Sequence, residues 1–418
     1  MRTMIIGGGI GGLATALSLH AAGLDCVVVD AAEELLPLGV GINLQPHAVR
    51  ELTELGLAEQ LAATGVETSF MTFTDRFGNE ILALPRGRSA GYRWPQYSIH
   101  RGHLQMIMLE AVRERVGQVR TGLRFEDFEQ DGSGVTVTLR DQATGRTLRE
   151  HADVLVGADG VLSTVRSRLH PEGDPLTWGG IRMWRGMAKG DQVMDGATVL
   201  VSGSNAAAKF VAYHVSASDP GLVNWVAEVK VAEPGVVEEA DWSREGRLED
   251  VAPHFAGWEF RHFDIPGLIA ATERILEYPM VDRDPLPSWG EGRVTLLGDA
   301  AHPLYPIGSN GGSQAVLDAR VLARCLATYD DPAEALKAYE GERLPPTSAL
   351  VLAHRSLPIE KTVRLVTERA PGGFADVADV LTPEELAEMA DAQHGITDAD
   401  VRALNERPSW SVTGRRPS

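Results

Sequence analysis

The chain has 418 residues, of which 39 are basic and 58 acidic, so its formal net charge is −19. This length allows two or three domains with sizeable cores, and the acidic balance disfavours a nucleic-acid-binding protein, which needs a basic surface. The two cysteines, Cys26 and Cys325, form no C-x-x-C pair, so zinc ribbons and redox dithiols are disfavoured and a reducing, cytoplasmic location is expected.

The first predicted unit, MIIGGGIGGLATALSLHAAGLDCVVVD, reads as strand, glycine turn, helix and strand. Gly7, Gly9 and Gly12 fit G-x-G-x-x-G, in which the glycines allow a tight turn, backbone approach to a pyrophosphate and close helix–strand packing. The helix N-terminus favours phosphates, and Asp30 ends the second strand, where it can accept hydrogen bonds from ribose hydroxyls. The unit predicts a dinucleotide site but does not distinguish FAD from NAD, and a close-packed unit without a ligand is the structural alternative.

The middle of the chain first repeats the strand–turn–helix pattern and then becomes rich in β-branched and aromatic residues. ADVLVGADGVLSTVRSRL predicts a strand, a turn at Asp159-Gly160 and a helix. Between residues 176 and 285, β-branched and aromatic runs such as TVLVSGSN, AAKFVAYHVSA and GLVNWVAEVKV are separated by turns. This arrangement predicts an antiparallel sheet.

A second glycine corner lies late in the chain, in RVTLLGDAAHPLYPIGSNGGSQAVLDARVLARCL. It predicts a strand, a turn at Gly298-Asp299, a loop stiffened by prolines and a helix from Ser313 to about Leu326. Asp299 could bind a polyol such as the ribityl chain of a flavin. The glycines before the helix expose N–H groups that can stabilise the negative charge of a reduced flavin.

The three glycine–aspartate motifs, in this order, resemble those of the FAD-dependent aromatic hydroxylases, the single-component flavoprotein monooxygenases that include salicylate and hydroxybenzoate hydroxylases. LLPLGVGINLQPHAVRELTELGL, PQYSIHRGHLQMIMLEAVRERVG and GGIRMWRG are similar to the phenazine hydroxylases (5-methylphenazine-1-carboxylate 1-monooxygenase type) and 3-hydroxybenzoate 6-hydroxylases of that family. The similarity spans residues 1 to about 355. The PIGSNGG loop departs from the P-x-x-G-Q-G of many relatives, which weakens transfer from the 4-hydroxybenzoate enzyme.

Together with the strand pattern, the resemblance implies an α/β fold with a Rossmann-like FAD-binding domain of the glutathione-reductase or 4-hydroxybenzoate-hydroxylase type. An inserted, mostly antiparallel β-sheet substrate domain and C-terminal helices would complete it. The expected parts are an FAD domain from 1–70, 98–175 and 286–355, a substrate domain from 71–97 and 176–285, and a helical region over 356–418. In that last region Thr382 and Glu385 form a capping-box pattern that predicts a helix.

The resemblance also implies which residues hold FAD. They are Gly7, Gly9, Ile10, Gly11, Gly12, Asp30, Ala31, Val40, Arg101, Gln105, Leu123, Asp159, Asp299, Pro306, Asn310, Gly311 and Gly312. Arg101 would reach the flavin phosphates or ribityl chain, with a surface salt bridge as the alternative. Leu123 would touch the adenine through its backbone, and Asp159 would also serve the passing NAD(P)H.

The implied reaction consumes NAD(P)H and O2 and hydroxylates a small aromatic substrate, phenazine-like or a carboxylated polycycle, through a flavin C4a-hydroperoxide that an apolar chamber shields from water. No catalytic side chain is firmly indicated. The candidates are Tyr213, His214, Arg185 and His302 for activating the substrate, and Pro303, Tyr213 and Trp225 for contacting it. Core packing is the alternative for Trp225 and a structural turn for His302. Tyr213 and His214 are strand neighbours, so at most one faces the chamber.

Other functions stay open at this point. A flavoprotein oxidase or dehydrogenase without oxygen insertion fits the same scaffold, whereas the absence of W-x-W-x-I-P disfavours a halogenase. The complete set of motifs disfavours a nucleotide sensor and a plain NAD dehydrogenase. No metal site or nucleic-acid partner is predicted, no membrane span is predicted because no run of about 18 apolar residues occurs, and a monomer or homodimer is expected.

Overall fold

The computed structural model describes residues 1–190, 192–205, 207–237, 244–356, 358–397, 400–407 and 409. The strands in chain order are β1 Arg2–Ile6, β2 Asp25–Val29, β3 Gly41–Leu44, β4 Val66–Thr68, β5 Phe70–Thr74, β6 Glu80–Pro85, β7 Gln96–His100, β8 Leu123–Asp131, β9 Gly134–Asp141, β10 Thr147–Ala152, β11 Val154–Gly157, β12 Leu176–Lys189, β13 Thr198–Ser204, β14 Ala208–His214, β15 Leu222–Lys230, β16 Gly235–Val237, β17 Leu276–Asp282 and β18 Val294–Leu296.

The α-helices are α1 Ile10–Ala21, α2 Pro46–Glu54, α3 Ala58–Thr64, α4 Arg101–Arg115, α5 Thr164–Leu169, α6 Leu248–Val251, α7 Ile265–Ala270, α8 Gly311–Thr328, α9 Pro332–Ser356, α10 Pro358–Arg369, α11 Pro383–Thr397 and α12 Val401–Glu406. Within the described residues, none of these helices combines the length and apolarity that crossing a membrane requires.

A parallel sheet organises the three glycine motifs. Its order is β18-β11-β1-β2, and every neighbouring pair runs parallel. The chain leaves the carboxyl ends of β1, β11 and β18 into the turns at Gly7, Asp159 and Gly298 respectively. Ligands of parallel α/β sheets bind beyond the carboxyl ends of the strands, so motifs that are far apart in sequence reach one edge.

A larger sheet forms the wall opposite that edge. Its order is β16-β12-β15-β14-β13-β5-β6, with β17 also paired to β12. All pairs are antiparallel except β5 with β13, which is parallel, so the predicted sheet is present with one parallel pairing added. One face packs on a core that includes Trp184, Phe210 and Trp225. The division of the chain into domains at the expected boundaries stays a prediction.

Two small antiparallel sheets, β3-β7-β4 and β10-β9-β8, flank the parallel sheet. The C-terminal helices close the molecule on another side: α8 packs on α1 and α9, and α10 packs on β13. The capping box predicted before α11 is present, because Glu385 N–H donates to Thr382 Oγ1 at 3.2 Å and Thr382 N–H donates to Glu385 Oε2 at 2.9 Å.

Candidate functional site

A cavity of about 680 Å³ extends from the glycine turn after β1 to the large sheet. Many of the predicted site residues lie on its surface. These are Gly9, Ile10, Gly11, Val40, Arg101, Arg185, Tyr213, Asp299, Pro303, Pro306, Asn310, Gly311 and Gly312. Motifs from both ends of the chain therefore meet around one space, as the sequence predicted.

The glycine turn combines crowded and open positions. Gly7 has φ +110°, and a Cβ there would lie 2.3 Å from the Ala158 carbonyl oxygen. A Cβ on Gly12 would lie 1.9 Å from the Gly7 carbonyl oxygen, whereas a Cβ on Gly9 would meet nothing within 4 Å. Gly7 and Gly12 are thus required for packing, and Gly9 presents backbone to an open space at the start of α1, where a phosphate can approach.

Two predicted residues support this turn from behind. The Asp30 carboxylate accepts hydrogen bonds from Gly8 N–H at 2.6 Å and Ala32 N–H at 2.7 Å. The buried Gln105 amide donates to the Gly8 carbonyl oxygen at 2.8 Å. Neither side chain is on the cavity lining, so both position the turn, and Asp30 lies next to the open backbone of Gly9.

Three other predicted positions are engaged within the protein. Leu123 N–H donates to the Asp30 carbonyl oxygen at 3.0 Å, and the Ala31 carbonyl accepts a bond from Gln142 Nε2. Asp159 accepts bonds from Ser163 Oγ at 2.5 Å and from Thr164 N–H at 2.8 Å, at the start of α5. Burial raises the pKa of Asp159, and the Ser163 hydrogen bond opposes that shift. Its carboxylate holds the helix start, while the neighbouring backbone of Gly160 lines the cavity.

The late glycine corner exposes its functional groups to the cavity. The Asp299 carboxylate makes no side-chain hydrogen bond among the described residues and faces the space in front of α8. Enclosure by protein raises its pKa, while His302 and Arg101 act in the opposite direction. Arg101, at the first position of α4, has no ion-pair partner in the described part of the chain. The N-terminus of α8 has no side-chain cap, so its N–H groups remain free for a ligand.

The loop before α8 is held from two sides. His354 Nδ1–H, completely buried on α9, donates to the Tyr305 carbonyl oxygen at 3.1 Å, and its Nε2 accepts from Asn310 Nδ2 at 3.3 Å. Gln45 Nε2 donates to the Gly308 carbonyl oxygen at 3.0 Å. Burial lowers the pKa of His354 to about 4. The neutral imidazole thus positions the loop that lines the cavity.

His302 lies off the cavity. Its Nε2 is 2.6 Å from Asp318 Oδ2, and Arg343 Nε donates to Asp318 Oδ1 at 2.7 Å. Burial alone would raise the pKa of Asp318, but His302 and Arg343 together lower it. His302 is only 3% exposed, so its geometry supports the role of a structural turn residue, which was one of the two alternatives for this histidine.

A cationic site lies on β12 in the large-sheet wall of the cavity. Arg185 on β12 donates from Nη1 to Tyr278 Oη at 3.0 Å and from Nη2 to the Gly41 carbonyl oxygen at 2.7 Å, and the Tyr213 hydroxyl acts on it electrostatically. Its buried Nε has no partner in the described part of the chain. Burial raises the pKa of Tyr213 to about 12 against the opposing effect of Arg185, so the phenol is neutral near pH 7.

Strand alternation decides between alternatives that the sequence left open for two candidate residues. On β14, Tyr213 faces the cavity, and His214 faces the opposite core, where its Nε2 accepts from Val193 N–H at 2.9 Å. On β15, Val226 faces the cavity and Trp225 faces the core. Trp225 stacks on Phe210 with ring centroids 5.9 Å apart and is 0% exposed. Because successive strand residues point to opposite faces, neither His214 nor Trp225 can contact a substrate in the cavity.

Sequence reasoning missed a buried charge cluster on the same wall. Lys209 Nζ lies 3.2 Å from Glu228 Oε2 and 2.9 Å from Glu360 Oε1, and all three residues line the cavity. Burial raises the pKa of Glu228, with Lys209 opposing it. The cross-strand pairing of Lys209 with Glu228 was invisible without the register, and Glu360 comes from α10, a helix that the sequence did not place near the cavity.

Comparisons with known proteins agree with this geometry. A family model described as an FAD binding domain matches residues 1–353. Phenazine 1,6-dicarboxylic acid hydroxylase PhzS of Lysobacter antibioticus is 49% identical over 395 residues, which are 93% of this chain and 94% of the relative. The 3-hydroxybenzoate 6-hydroxylase of Klebsiella oxytoca is 30% identical over 363 residues, 85% of this chain and 88% of the relative.

Solved structures are similar over nearly the whole chain. A single-residue variant of Klebsiella pneumoniae HpxO in complex with FAD has a TM-score of 0.76 at 25% identity, over 94% of this chain and 99% of that one. HpxO in complex with FAD and uric acid has a TM-score of 0.72 at 26% identity, over 97% and 95% of the two chains. The predicted α/β fold with its Rossmann-like dinucleotide-binding unit is thereby confirmed.

Proposed function

This chain belongs to the FAD-binding-domain family and is an FAD-dependent monooxygenase of the aromatic-hydroxylase type, and we propose that its substrate is a polycyclic aromatic carboxylate held by Arg185. The predicted family, the FAD cofactor with NAD(P)H and O2 as co-substrates, and the enzyme class are confirmed. The identity of the substrate and the roles of individual residues belong to the proposal.

The cavity fits FAD at its glycine end. Gly9 leaves an open approach to the N-terminus of α1, which suits a pyrophosphate, and Arg101 offers a guanidinium without an ion-pair partner in the part of the chain described. Asp299 offers a carboxylate without a hydrogen bond in that same part, which suits ribityl hydroxyls. Gly311 and Gly312 are the first residues of α8, and their free N–H groups would stabilise negative charge on the flavin.

The single observation that carries the substrate proposal is the electrostatic state of Arg185. The cationic side chains on the lining are Arg101, Arg185, Lys209 and Arg274. Lys209 and Arg274 have carboxylate partners, and Arg101 is at the flavin end. Arg185 carries a full charge beside two phenols and a carbonyl and forms no direct ion pair among the residues described, and Glu228 acts on it only at longer range. A buried cation is stable only when it is paired, so this position favours a substrate carboxylate.

The rest of the wall suits an aromatic ring. Much of the cavity surface on the large sheet is apolar, and it includes Met183 and Val226 near Arg185 and, on strands further along the sheet, Met71, Phe73, Val199, Val201 and Val211. Such a lining excludes water and gains free energy by burying an aromatic surface. The printed substrate of the Lysobacter antibioticus relative, a phenazine dicarboxylic acid, supports a fused-ring carboxylate here.

When bound, FAD would supply the redox chemistry that couples oxidation of NAD(P)H to insertion of one oxygen atom of O2 into the substrate, with the other oxygen atom leaving as water. Arg185 orients the substrate through a charge-assisted hydrogen bond to its carboxylate. Tyr213 is neutral and lines the cavity, so it would position a ring substituent as a hydrogen-bonding group. The apolar lining keeps water away from the reacting atoms. A cytoplasmic location and a monomeric or homodimeric state are part of the proposal.

The test combines cofactor uptake with product analysis. Protein loaded with FAD should be yellow, and phenazine-1-carboxylate should accelerate NADH or NADPH oxidation and appear as a hydroxylated product. Salicylate and 3-hydroxybenzoate, as single-ring carboxylates, are the comparison substrates. Accelerated oxidation that yields only hydrogen peroxide with all these compounds would overturn the proposal in favour of an oxidase without oxygen insertion.

A further inference from the structure

The buried cluster of Lys209, Glu228 and Glu360 lies on the same cavity wall as Arg185. Arg185 pairs with Val226 across β12 and β15, and Glu228 lies two residues further along β15 on the same face. Diagonal neighbours of this kind are about 7–8 Å apart. A planar substrate held at Arg185 by its carboxylate therefore brings a second edge to Glu228.

The cluster lies at the end of the chamber away from the β3 strand. Asn224, four residues before Glu228 on β15, accepts a hydrogen bond from Gly41 N–H at 2.7 Å. Four strand residues span roughly 13 Å. Glu360 on α10 covers the Glu228 end and accepts a bond from Asn205 N–H at 2.9 Å. The two ends of the chamber thus present different chemistry to the two ends of a substrate.

The charges of the cluster balance only together with Arg185. One ammonium group, Lys209, faces two carboxylates, Glu228 and Glu360, and Arg185 also acts electrostatically on Glu228. When a substrate carboxylate pairs with Arg185, one net negative charge is left at the cluster. In the described part of the chain, Glu228 forms its ion pair with Lys209, and Lys209 also pairs with Glu360. Glu360 in addition accepts a hydrogen bond from Asn205 N–H. A carboxylate can accept several hydrogen bonds, so Glu228 keeps acceptor capacity on the cavity surface. A ligand carboxylate placed there would meet like charge, and a hydroxyl, amine or ring N–H would meet an acceptor.

Building on the proposed function, we infer that Glu228, with Lys209 and Glu360, is a selectivity site that accepts a hydrogen-bond donor on the far ring of the substrate and excludes a second carboxylate. In this arrangement Arg185 binds the single carboxylate of the substrate. The preferred substrate class is a fused aromatic monocarboxylate whose far ring carries a hydroxyl, an amine or an N–H group.

The experiment compares two ligands of the same ring system. The FAD-loaded protein is titrated at pH 8, where free carboxylates are ionised, with phenazine-1-carboxylate and with phenazine-1,6-dicarboxylate, and the change in the flavin visible spectrum gives each Kd. Like-charge contact in a desolvated site costs several kcal/mol, so the wild type should bind the monocarboxylate at least about tenfold more tightly.

Glu228→Gln should reduce this preference by about tenfold, since it removes one negative charge and leaves Lys209 paired one-to-one with Glu360. Glu360→Gln is a second variant with the same expected direction. Glu368→Gln is the matched control, because Glu368 is an exposed residue of the same helix, paired with Arg364, and its selectivity should equal that of the wild type.

The possible failures are distinguishable. Equal or tighter binding of the dicarboxylate by the wild type, or unchanged selectivity in Glu228→Gln and Glu360→Gln, would overturn the selectivity site while the substrate proposal for Arg185 stands. Failure of the wild type to bind either phenazine would overturn the proposed substrate class, and the selectivity site with it.

Discussion

Arg185 shows how the surroundings of one residue define a function. Its guanidinium donates to the Tyr278 hydroxyl and the Gly41 carbonyl oxygen and is influenced by the Tyr213 hydroxyl, and all three groups are neutral. Such partners leave the buried Nε without a hydrogen bond in the described part of the chain and supply no negative charge in direct contact with the guanidinium. A ligand carboxylate supplies the missing charge, and the fork of N–H donors suits its two oxygens.

Replacing Arg185 by glutamine should weaken binding of a carboxylated substrate by roughly tenfold to a hundredfold, since a hydrogen bond to a charged group contributes about 1.5–3 kcal/mol. The measurement is Kd from spectral titration, together with KM and kcat. Arg182→Gln is the matched control, because Arg182 is on the same strand, off the cavity lining, and pairs with Glu277. Equal losses in both variants would show that Arg185 does not bind the carboxylate.

At the residue scale, the sequence predicted which residues belong to the site better than it predicted which face of the sheet their side chains occupy. It identified Tyr213 and His214 as neighbours with opposite orientations, but the choice between them depends on the register of β14 in the sheet. The same one-residue ambiguity left Trp225 open between the cavity and the core, and in the structure it lies in the core. The charge cluster was missed because Lys209, Glu228 and Glu360 are ordinary surface residue types until the sheet and α10 bury them together.

At the element scale, the glycine turn was predicted with its physical reasons. Each glycine of the motif has the environment that its predicted role requires, crowded at Gly7 and Gly12 and open at Gly9. The strands of the parallel sheet and the long helix α8 were predicted for the same reason: apolar runs bounded by glycine are strong local signals. The C-terminal wall formed by α10 could not be predicted, because its contact with β13 is long-range.

Two alanine substitutions separate folding from cofactor binding. Gly12→Ala should reduce the free energy of unfolding by about 1–3 kcal/mol, since its methyl group would overlap the Gly7 carbonyl oxygen. Gly9→Ala should cost less than about 1 kcal/mol but should weaken FAD binding, since its methyl group points into the open approach. Denaturant unfolding of the FAD-free protein and FAD titration are the measurements. Gly9→Ala protein that binds FAD as the wild type does would contradict the assigned phosphate site.

His354 predicts a pH dependence of stability. Its pKa is about 4 in the folded protein and about 6.5 in the unfolded chain. Between these values the unfolded chain binds more protons, so stability is complete above about pH 6.5 and is lost as the pH falls toward 4. At pH 5 the loss from His354 alone is about 2 kcal/mol relative to pH 7.5.

The comparison is between the wild type and His354→Asn, which keeps one donor and one acceptor. Urea unfolding at pH 7.5 and pH 5 should show a smaller pH effect in His354→Asn by about 2 kcal/mol. Burial also lowers the pKa of His100 to about 4. His100 and the other buried histidines contribute the same pH effect to the stability of both proteins, so they cancel in the comparison. His20→Asn, at an exposed site on α1, is the control. An unchanged difference between the two pH values would contradict the neutral, loop-holding role.

At the scale of the whole molecule, one cavity joins a dinucleotide edge built from a parallel sheet to a substrate wall built from a larger sheet. The glycine motifs predicted the dinucleotide edge of this cavity, because the carboxyl ends of parallel strands meet at one edge of the sheet. The substrate wall depends on how β12, β14 and β15 pair and on how α10 packs over them. Local sequence does not encode these long-range contacts.

The most direct measurement is oxygen incorporation. FAD-loaded protein is supplied with NADH or NADPH, phenazine-1-carboxylate and isotopically labelled O2, and the product is analysed by mass spectrometry. The account predicts a hydroxylated product that carries one labelled oxygen atom, in proportion to the reduced nicotinamide consumed. Full consumption of the nicotinamide with all of the labelled oxygen recovered as hydrogen peroxide would contradict it.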